Sequence, residues 1–420
     1  MSLLLQVGEL KPGMFLAADI NSAYRVILSR GHKLTDKDIA YLGRMFPDKS
    51  FPVERPEFEQ GSVSQPSLDK REKDQLAYRF QRKIDTVANK AQSLLHNSVA
   101  LDPRQLEELD QAVQKMLKFI QDNPLTMNIM EKLTSSHSYL QMHGMNVFYF
   151  SLLLGYVLLD FVQQNKPSEA LAGKSWDVTL LTPLATAAIF HDLGMLPIQH
   201  IYDKKETLSE QDKNSIRVHP LVGFDKLPEQ ISEKARHAVL HHHENFDGSG
   251  YVHGLTGEQI NIFSRILRIA DSYTAATTNK SYRQAKDPIL ALYEILHGEY
   301  CHCYDPVLVK LFAAKIQAFP IGAKIKLSNK KWAVVVRHNP HNPFLPELIT
   351  AFDEKNRPIP KKQLAKPFVL NPKDNLRLVS FGQQDLSFLK HIPKNLQLAD
   401  HYEYFSRACS EIPESHTVSV

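Results

Sequence analysis

Seven side chains able to donate an electron pair to a divalent cation are spread along the middle of the sequence: His143, His191, Asp192, His219, His242, His243 and Asp271. Imidazole and carboxylate suit borderline and hard divalent ions, and an aspartate can bridge two of them, so divalent-metal chemistry is what such a set would serve. An isolated histidine is more often surface or satisfied core, and His96 reads that way. His191-Asp192 differs. The apolar run Ala187-Ala188-Ile189-Phe190 delivers it to the end of a helix and Gly194 follows at once. Two adjacent ionisable groups there are costly unless paired or metallated.

The segment His241-His242-His243-Glu244-Asn245-Phe246-Asp247-Gly248-Ser249-Gly250-Tyr251 is the densest cluster. Adjacent helical residues diverge by about 100°, so three histidines cannot all face one point, whereas two near a helix end can flank a metal. The Asp247-Gly248-Ser249-Gly250 turn then bends the chain and brings Tyr251 beside the pocket, the plain alternative being a helix end followed by a turn. Asp271 closes the apolar stretch Ile262–Ala270, with Arg268 placed as an i,i+3 partner and Arg265 able to meet a phosphate; a simple helix salt bridge is the competing reading for Asp271.

Ligands this far apart meet only if helices return them to one pocket. Residues 124–318 read as a succession of helices with polar, glycine-bearing loops and no strand-glycine-helix unit, so an all-α core is expected. Residues 1–60 form a small mixed α/β module, with a strand at Tyr24–Leu28 and a helix capped by Thr35. The span 61–123 is a linker and helical segment: prolines punctuate Pro47–Leu68, a helix starts near Lys70, and a second runs from Asp102 to Gln121. This pair is expected to pack on the next domain or to mediate a homodimer. Residues 319–405 read as a small β-rich module, with strands at Ala323–Leu327, Trp332–Val336 and Leu348–Phe352, and 406–420 as a flexible tail.

Bulk properties exclude several classes. At 420 residues the chain needs more than one domain, and 43% hydrophobic with 23% charged residues excludes wholesale disorder. A formal charge of +4 does not announce a DNA or RNA partner, and Lys324, Lys326, Lys330, Lys331 and Arg337 read as a solvated face. Three cysteines suit a reducing compartment rather than a disulfide scaffold. Cys301-His302-Cys303 is one residue too tight for the usual metal knuckle and has no second pair, so it is set aside. The apolar stretch Met145–Val162 holds Asn146 and Asp160 and reads as a buried core helix rather than a transmembrane segment. No leader is visible, and a cytoplasmic location is expected.

The pattern of these motifs resembles the HD-GYP branch of the HD metal-dependent phosphohydrolases over about residues 124–315, through Tyr139-Leu140-Gln141-Met142-His143, His191-Asp192-Leu193-Gly194, His219-Pro220-Leu221-Val222-Gly223, His242 to Tyr251 and Arg265 to Asp271. The opening module resembles, less specifically, one found in some members. The resemblance implies a multidomain chain with a mainly α, HD-type central domain. One metal would be held by His143, His191, Asp192 and Asp271, and a second by His219, His242, His243 and the bridging, catalytic Asp192. It also implies two divalent ions, iron or manganese, since the position of a third-metal glutamate is Tyr139.

By the same resemblance the chain would cleave cyclic di-GMP with a metal-activated water to pGpG and onward to GMP, with Tyr251, Arg265, Lys280 and Arg283 contacting substrate and a diguanylate cyclase domain as a further partner. Two departures bear on this. Met195 replaces the usual lysine and offers neither charge nor proton, and Val252 replaces the proline after the motif tyrosine. The alternative is a weakly active cyclic-dinucleotide receptor or signalling scaffold.

Overall fold

The computed structural model describes residues 2–11, 14, 16, 20–21, 26–28, 32, 34–46, 50–54, 70–96, 102–123, 139–164, 177–202, 204, 208–279, 284–316, 318–339, 341–371, 375–390, 396–410 and 412. The chain divides into two compact units, Met1–Leu68 with Gln163–Ser175, and Asp69–Val162 with Trp176–Val420.

In the first unit, strand β1 (Ser2–Gln6) is followed by the short pair β2 (Ile20–Asn21) and β3 (Val26–Leu28), helix α1 (Asp36–Met45) and strand β4 (Ser50–Glu54), which returns antiparallel to β1. Thr35 starts α1 as the sequence expects: its hydroxyl accepts from the Asp38 amide while the Asp38 carboxylate accepts from the Thr35 amide. Leu16, Leu34, Leu42, Phe51 and Val53 form the core beneath.

The second unit opens with α2 (Lys70–His96) and α3 (Pro103–Asp122), which pack together through stacked Phe80 and Phe119, ring centroids 6.1 Å apart. Asp102 caps α3 by accepting from the Arg104 amide and Pro103 occupies its first turn, where no amide donor is needed. Beyond lie α4 (Tyr139–Gln164), α5 (Thr182–Phe190), α6 (Gln199–Tyr202), α7 (Glu210–Arg217), α8 (His219–Lys226), α9 (Glu233–His241), α10 (Ile262–Thr277), α11 (Pro288–His297) and α12 (Leu308–Lys315). The apolar face of α3 lies on α5 and on the turn Val178–Leu181 just before it, so this helix belongs to the packing of the central domain. Helices α5, α9 and α10 pack on one another, and α8 packs on α9 and on the turn Leu193–Ile198.

His143–Gln163 and Val178–Ile198 are each long and apolar enough to cross a bilayer by composition, yet two thirds of each is buried inside the fold. Val147, Phe148, Leu152, Leu154, Val157, Leu158 and Phe161 of α4 are among the buried residues, so packing within the protein accounts for the apolar character of this stretch.

After α12 the chain forms a six-stranded antiparallel sheet, β5 (Lys324–Leu327), β6 (Trp332–Arg337), β7 (Glu347–Phe352), β8 (Phe368–Val369), β9 (Leu378–Phe381) and β10 (Gln384–Asp385), ordered β10-β9-β5-β6-β7-β8. Burial alternates along β5, with Ile325 and Leu327 facing in. On the other face the Lys324 ammonium lies 3.5 Å from the Phe352 ring centroid and Lys326 lies 5.7 Å from that of Trp332. These lysines therefore cover aromatic rings on an open sheet face. A last helix, α13 (Tyr402–Ser410), takes up the first residues of the stretch expected as a flexible tail, because Phe405, Ala408 and Cys409 recur at helical spacing and are buried. Phe405 meets Phe161 of α4 with ring centroids 4.8 Å apart. The fold class is thus a mainly α-helical central domain flanked by β-containing N- and C-terminal regions.

Candidate metal centre

The seven donor residues converge. His143 comes from α4, His191 and Asp192 from the residues ending α5, His219 from the first position of α8, His242 and His243 from the turn ending α9, and Asp271 from the middle of α10. Their donor atoms form two groups, His143 with His191 and Asp192, and His219 with His242 and His243; within each group the atoms lie within 4.8 Å of one another. Asp192 joins the groups. Its Oδ2 is 3.4 Å from His191 Nε2 and 3.8 Å from His143 Nε2, while its Oδ1 is 3.3 Å from His219 Nε2. Asp271 Oδ1 adds a contact of 3.1 Å to His143 Nε2.

The backbone fixes which ring nitrogen faces inward. His191, His219 and His242 each direct Nδ1 at the carbonyl three residues earlier, Ala188 at 2.9 Å, Ile216 at 2.6 Å and Val239 at 2.6 Å, so Nδ1 carries the proton and donates it. Each Nε2 is left facing into the centre. His219 and His242 then oppose their Nε2 atoms at 3.2 Å, and His191 Nε2 is buried with no hydrogen-bond partner. Opposed lone pairs and an orphaned buried nitrogen are costly by themselves and favourable around a cation, so the donor set fits divalent metal.

The electrostatics agree. Burial pushes His242 well below the ordinary imidazole range and His243 down to about 3, which keeps both neutral and able to ligate. Burial alone would do the same to His191, but Asp192 beside it outweighs burial and pushes it up to about 9, so a cation would displace a proton from its Nε2. Burial would raise Asp192 and Asp271, yet neighbouring imidazoles hold both carboxyls below the usual carboxylate range. The centre attracts positive charge.

Close backbone contact builds this geometry. A Cβ on Gly194 would lie 2.0 Å from the His219 carbonyl oxygen and 2.8 Å from the Gly223 amide, so only glycine lets the turn after Asp192 cross α8 at His219. Gly250 has the same role after His243, where a Cβ would meet the Asn245 amide at 2.2 Å. Sequence reasoning missed Glu244. It is buried and its carboxylate accepts from the amides of His253 at 2.6 Å, Gly254 at 3.2 Å and Leu255 at 3.1 Å, tying the following loop to the ligand turn. A charged residue directly after two ligand histidines was the available signal.

His241 stays out of the centre and pairs with His253 at 3.0 Å, as the divergence of adjacent helical residues requires. Tyr251 lies against His243 with ring centroids 4.9 Å apart at 26°, and burial raises its hydroxyl pKa, keeping it protonated. Met195 is buried in the turn Leu193–Ile198. Arg265 is also buried: it donates to Asp305 Oδ2 at 3.1 Å and to the Tyr404 hydroxyl at 2.8 Å, and would have to leave this network to meet a phosphate. Arg268, expected opposite Asp271, donates from Nε to Asn245 Oδ1 at 2.9 Å and from its terminal nitrogen to the Ser272 hydroxyl. Lys280 and Arg283 lie outside the described residues, as does the Tyr139 side chain.

Residues 169–308 match the HD domain family. A cyclic di-GMP phosphodiesterase of Pseudomonas aeruginosa is 27% identical over 187 residues, covering 44% of this chain and 45% of that protein. The cyclic di-GMP phosphodiesterase PdeB of Borreliella burgdorferi is 30% identical over 165 residues, covering 39% and 43%. A 3'3'-cGAMP-specific phosphodiesterase of Vibrio cholerae is 35% identical over 121 residues, covering 26% and 25%. The chain spans less than half the length of these relatives. The family match takes in His191, Asp192, His219, His242, His243 and Asp271 and begins after His143, and the domain is of HD type, related to those of cyclic-dinucleotide phosphodiesterases.

Proposed function

We propose that this HD-type domain is a metal-dependent phosphodiesterase that opens a cyclic dinucleotide, with cyclic di-GMP as its substrate. The observation that carries the reading is the division of Asp192, one carboxylate oxygen toward His143 and His191 and the other toward His219. Two divalent ions, iron or manganese, held by His143, His191, Asp192 and Asp271 and by Asp192, His219, His242 and His243, would supply an activated water and neutralise charge at phosphorus.

In the hydrolysis a water oxygen bonds to phosphorus, the bond from phosphorus to the ribose 3′ oxygen breaks, and that oxygen leaves with a proton. The first cut gives linear pGpG and a second would give GMP. Tyr251, flat against His243 and protonated, can donate a hydrogen bond to a phosphate oxygen. Lys280 and Arg283 supply positive charge for orienting the phosphates. Met195 supplies neither charge nor proton, so the leaving oxygen takes its proton from solvent and turnover is slow.

The test is chromatography of products after the chain, reconstituted with manganese or anaerobically with iron, meets cyclic di-GMP and 3'3'-cGAMP separately. Linear dinucleotide from cyclic di-GMP with either metal is the expected result. Binding of nucleotide without any linear product under both metals would instead favour a cyclic-dinucleotide receptor, a second reading for which the neutral, buried Met195 is the specific observation. Preference for 3'3'-cGAMP would move the substrate while keeping the reaction.

A further inference from the structure

Cys301-His302-Cys303 lacks a partner in sequence, but folding provides one. Asp247, in the turn after α9, brings its carboxylate to His302 and Cys303, and donor atoms of the three residues lie within 4.8 Å of one another. The two segments are fixed side by side by backbone: the Phe246 amide donates to the Cys303 carbonyl at 2.9 Å, and Asp247 forms a β-bridge with Thr256. Asp247 uses Oδ1 to accept from the Ser249 amide at 3.1 Å and hydroxyl at 2.7 Å. Its Oδ2 stays directed at His302 Nε2, 3.5 Å away. Hydrogen bonds from Ser249 hold the Asp247 carboxyl below the usual range, so it is ionised at neutral pH.

We propose that Asp247, His302 and Cys303 form a second metal site, for zinc or another thiophilic divalent ion, that clasps the turn carrying Tyr251 to the turn Cys301–Cys303. The donors differ in kind from those of the centre described above, since a thiolate selects softer ions than manganese. Tetrahedral bonds of about 2.0–2.3 Å place ligand atoms about 3.4 Å apart. Only a small closure is needed, and the His302 side chain, 55% exposed, is free to make it. Cys303 is buried, so its sulfur is held in place while solvent fills the remaining coordination position on the His302 side. Burial pushes the Cys303 thiol up, so binding exchanges its proton for the cation.

Cadmium alone is the probe. The metal-stripped 420-residue chain is titrated with cadmium while sulfur-to-metal charge-transfer absorption is followed in the ultraviolet. The histidine-aspartate centre has no sulfur and is silent in this band. The expected result is a band that saturates, persists in Cys301→Ser and Cys409→Ser, and disappears in Cys303→Ser. His302→Gln and Asp247→Asn should each weaken cadmium about tenfold or more, as loss of a ligand does at minimum. No band in the parent protein, a band lost with Cys301→Ser or Cys409→Ser, or a midpoint unmoved in His302→Gln and Asp247→Asn overturns the assignment. His302 is exposed, so its variant keeps the test valid if Cys303→Ser fails to fold.

Discussion

At the scale of residues, the sequence singled out seven possible donors because imidazole and carboxylate are the side chains suited to a divalent ion, and the fold brings all seven together. What sequence could not carry was the choice of nitrogen, which depends on carbonyls three residues back at Ala188, Ile216 and Val239. Arg265 was equally opaque. Its partners Asp305 and Tyr404 lie 40 and 139 residues away. Two substitutions separate these roles. Met195→Lys restores a cation where the resemblance calls for one, and turnover of cyclic di-GMP should rise about tenfold or more with metal content unchanged, general acid assistance being worth at least that. A rate that does not move would remove Met195 as the reason for slow turnover. Arg265→Met leaves Asp305 buried without its cation, which should cost about 3–5 kcal/mol in a denaturant titration. Loss of nucleotide affinity with stability intact would instead make Arg265 a phosphate contact.

At the scale of elements, caps and prolines made boundaries readable: Thr35 opens α1, and Asp102-Pro103 opens α3. The turn Leu193–Ile198 was not readable as a structural piece, because its function is to cross another segment closely and only Gly194 hints at that. This crossing holds Asp192 and His219 in register. Gly194→Ala forces a Cβ against the His219 carbonyl at 2.0 Å, and should cost about 1–3 kcal/mol together with loss of bound metal. Gly223→Ala meets nothing nearer than 3.3 Å and should be milder on both counts. Equal thermal shifts and equal metal content in the two variants would deny the crossing its part in building the centre.

At the scale of the whole molecule, the mainly helical central domain and the strands β5, β6 and β7 followed from periodicity, while α13 did not. Its buried stripe of Phe405, Ala408 and Cys409 is short, and contacts with residues far back in the chain, Phe161 against Phe405 and Arg265 against Tyr404, make it part of the helical core. Phe405→Ala should therefore cost about 3–5 kcal/mol by thermal or denaturant unfolding. A change within about 0.5 kcal/mol would mean a surface position. Helices α4, α5, α8, α9 and α10 together bring two groups of donor atoms to either side of the Asp192 carboxylate, where two cations would be held. Electron paramagnetic resonance of the manganese-loaded chain reads that arrangement directly. Two exchange-coupled ions in the parent protein, lost in Asp192→Ala, are expected; isolated manganese in the parent, or an unchanged coupled pair without Asp192, would rule out Asp192 as the bridge.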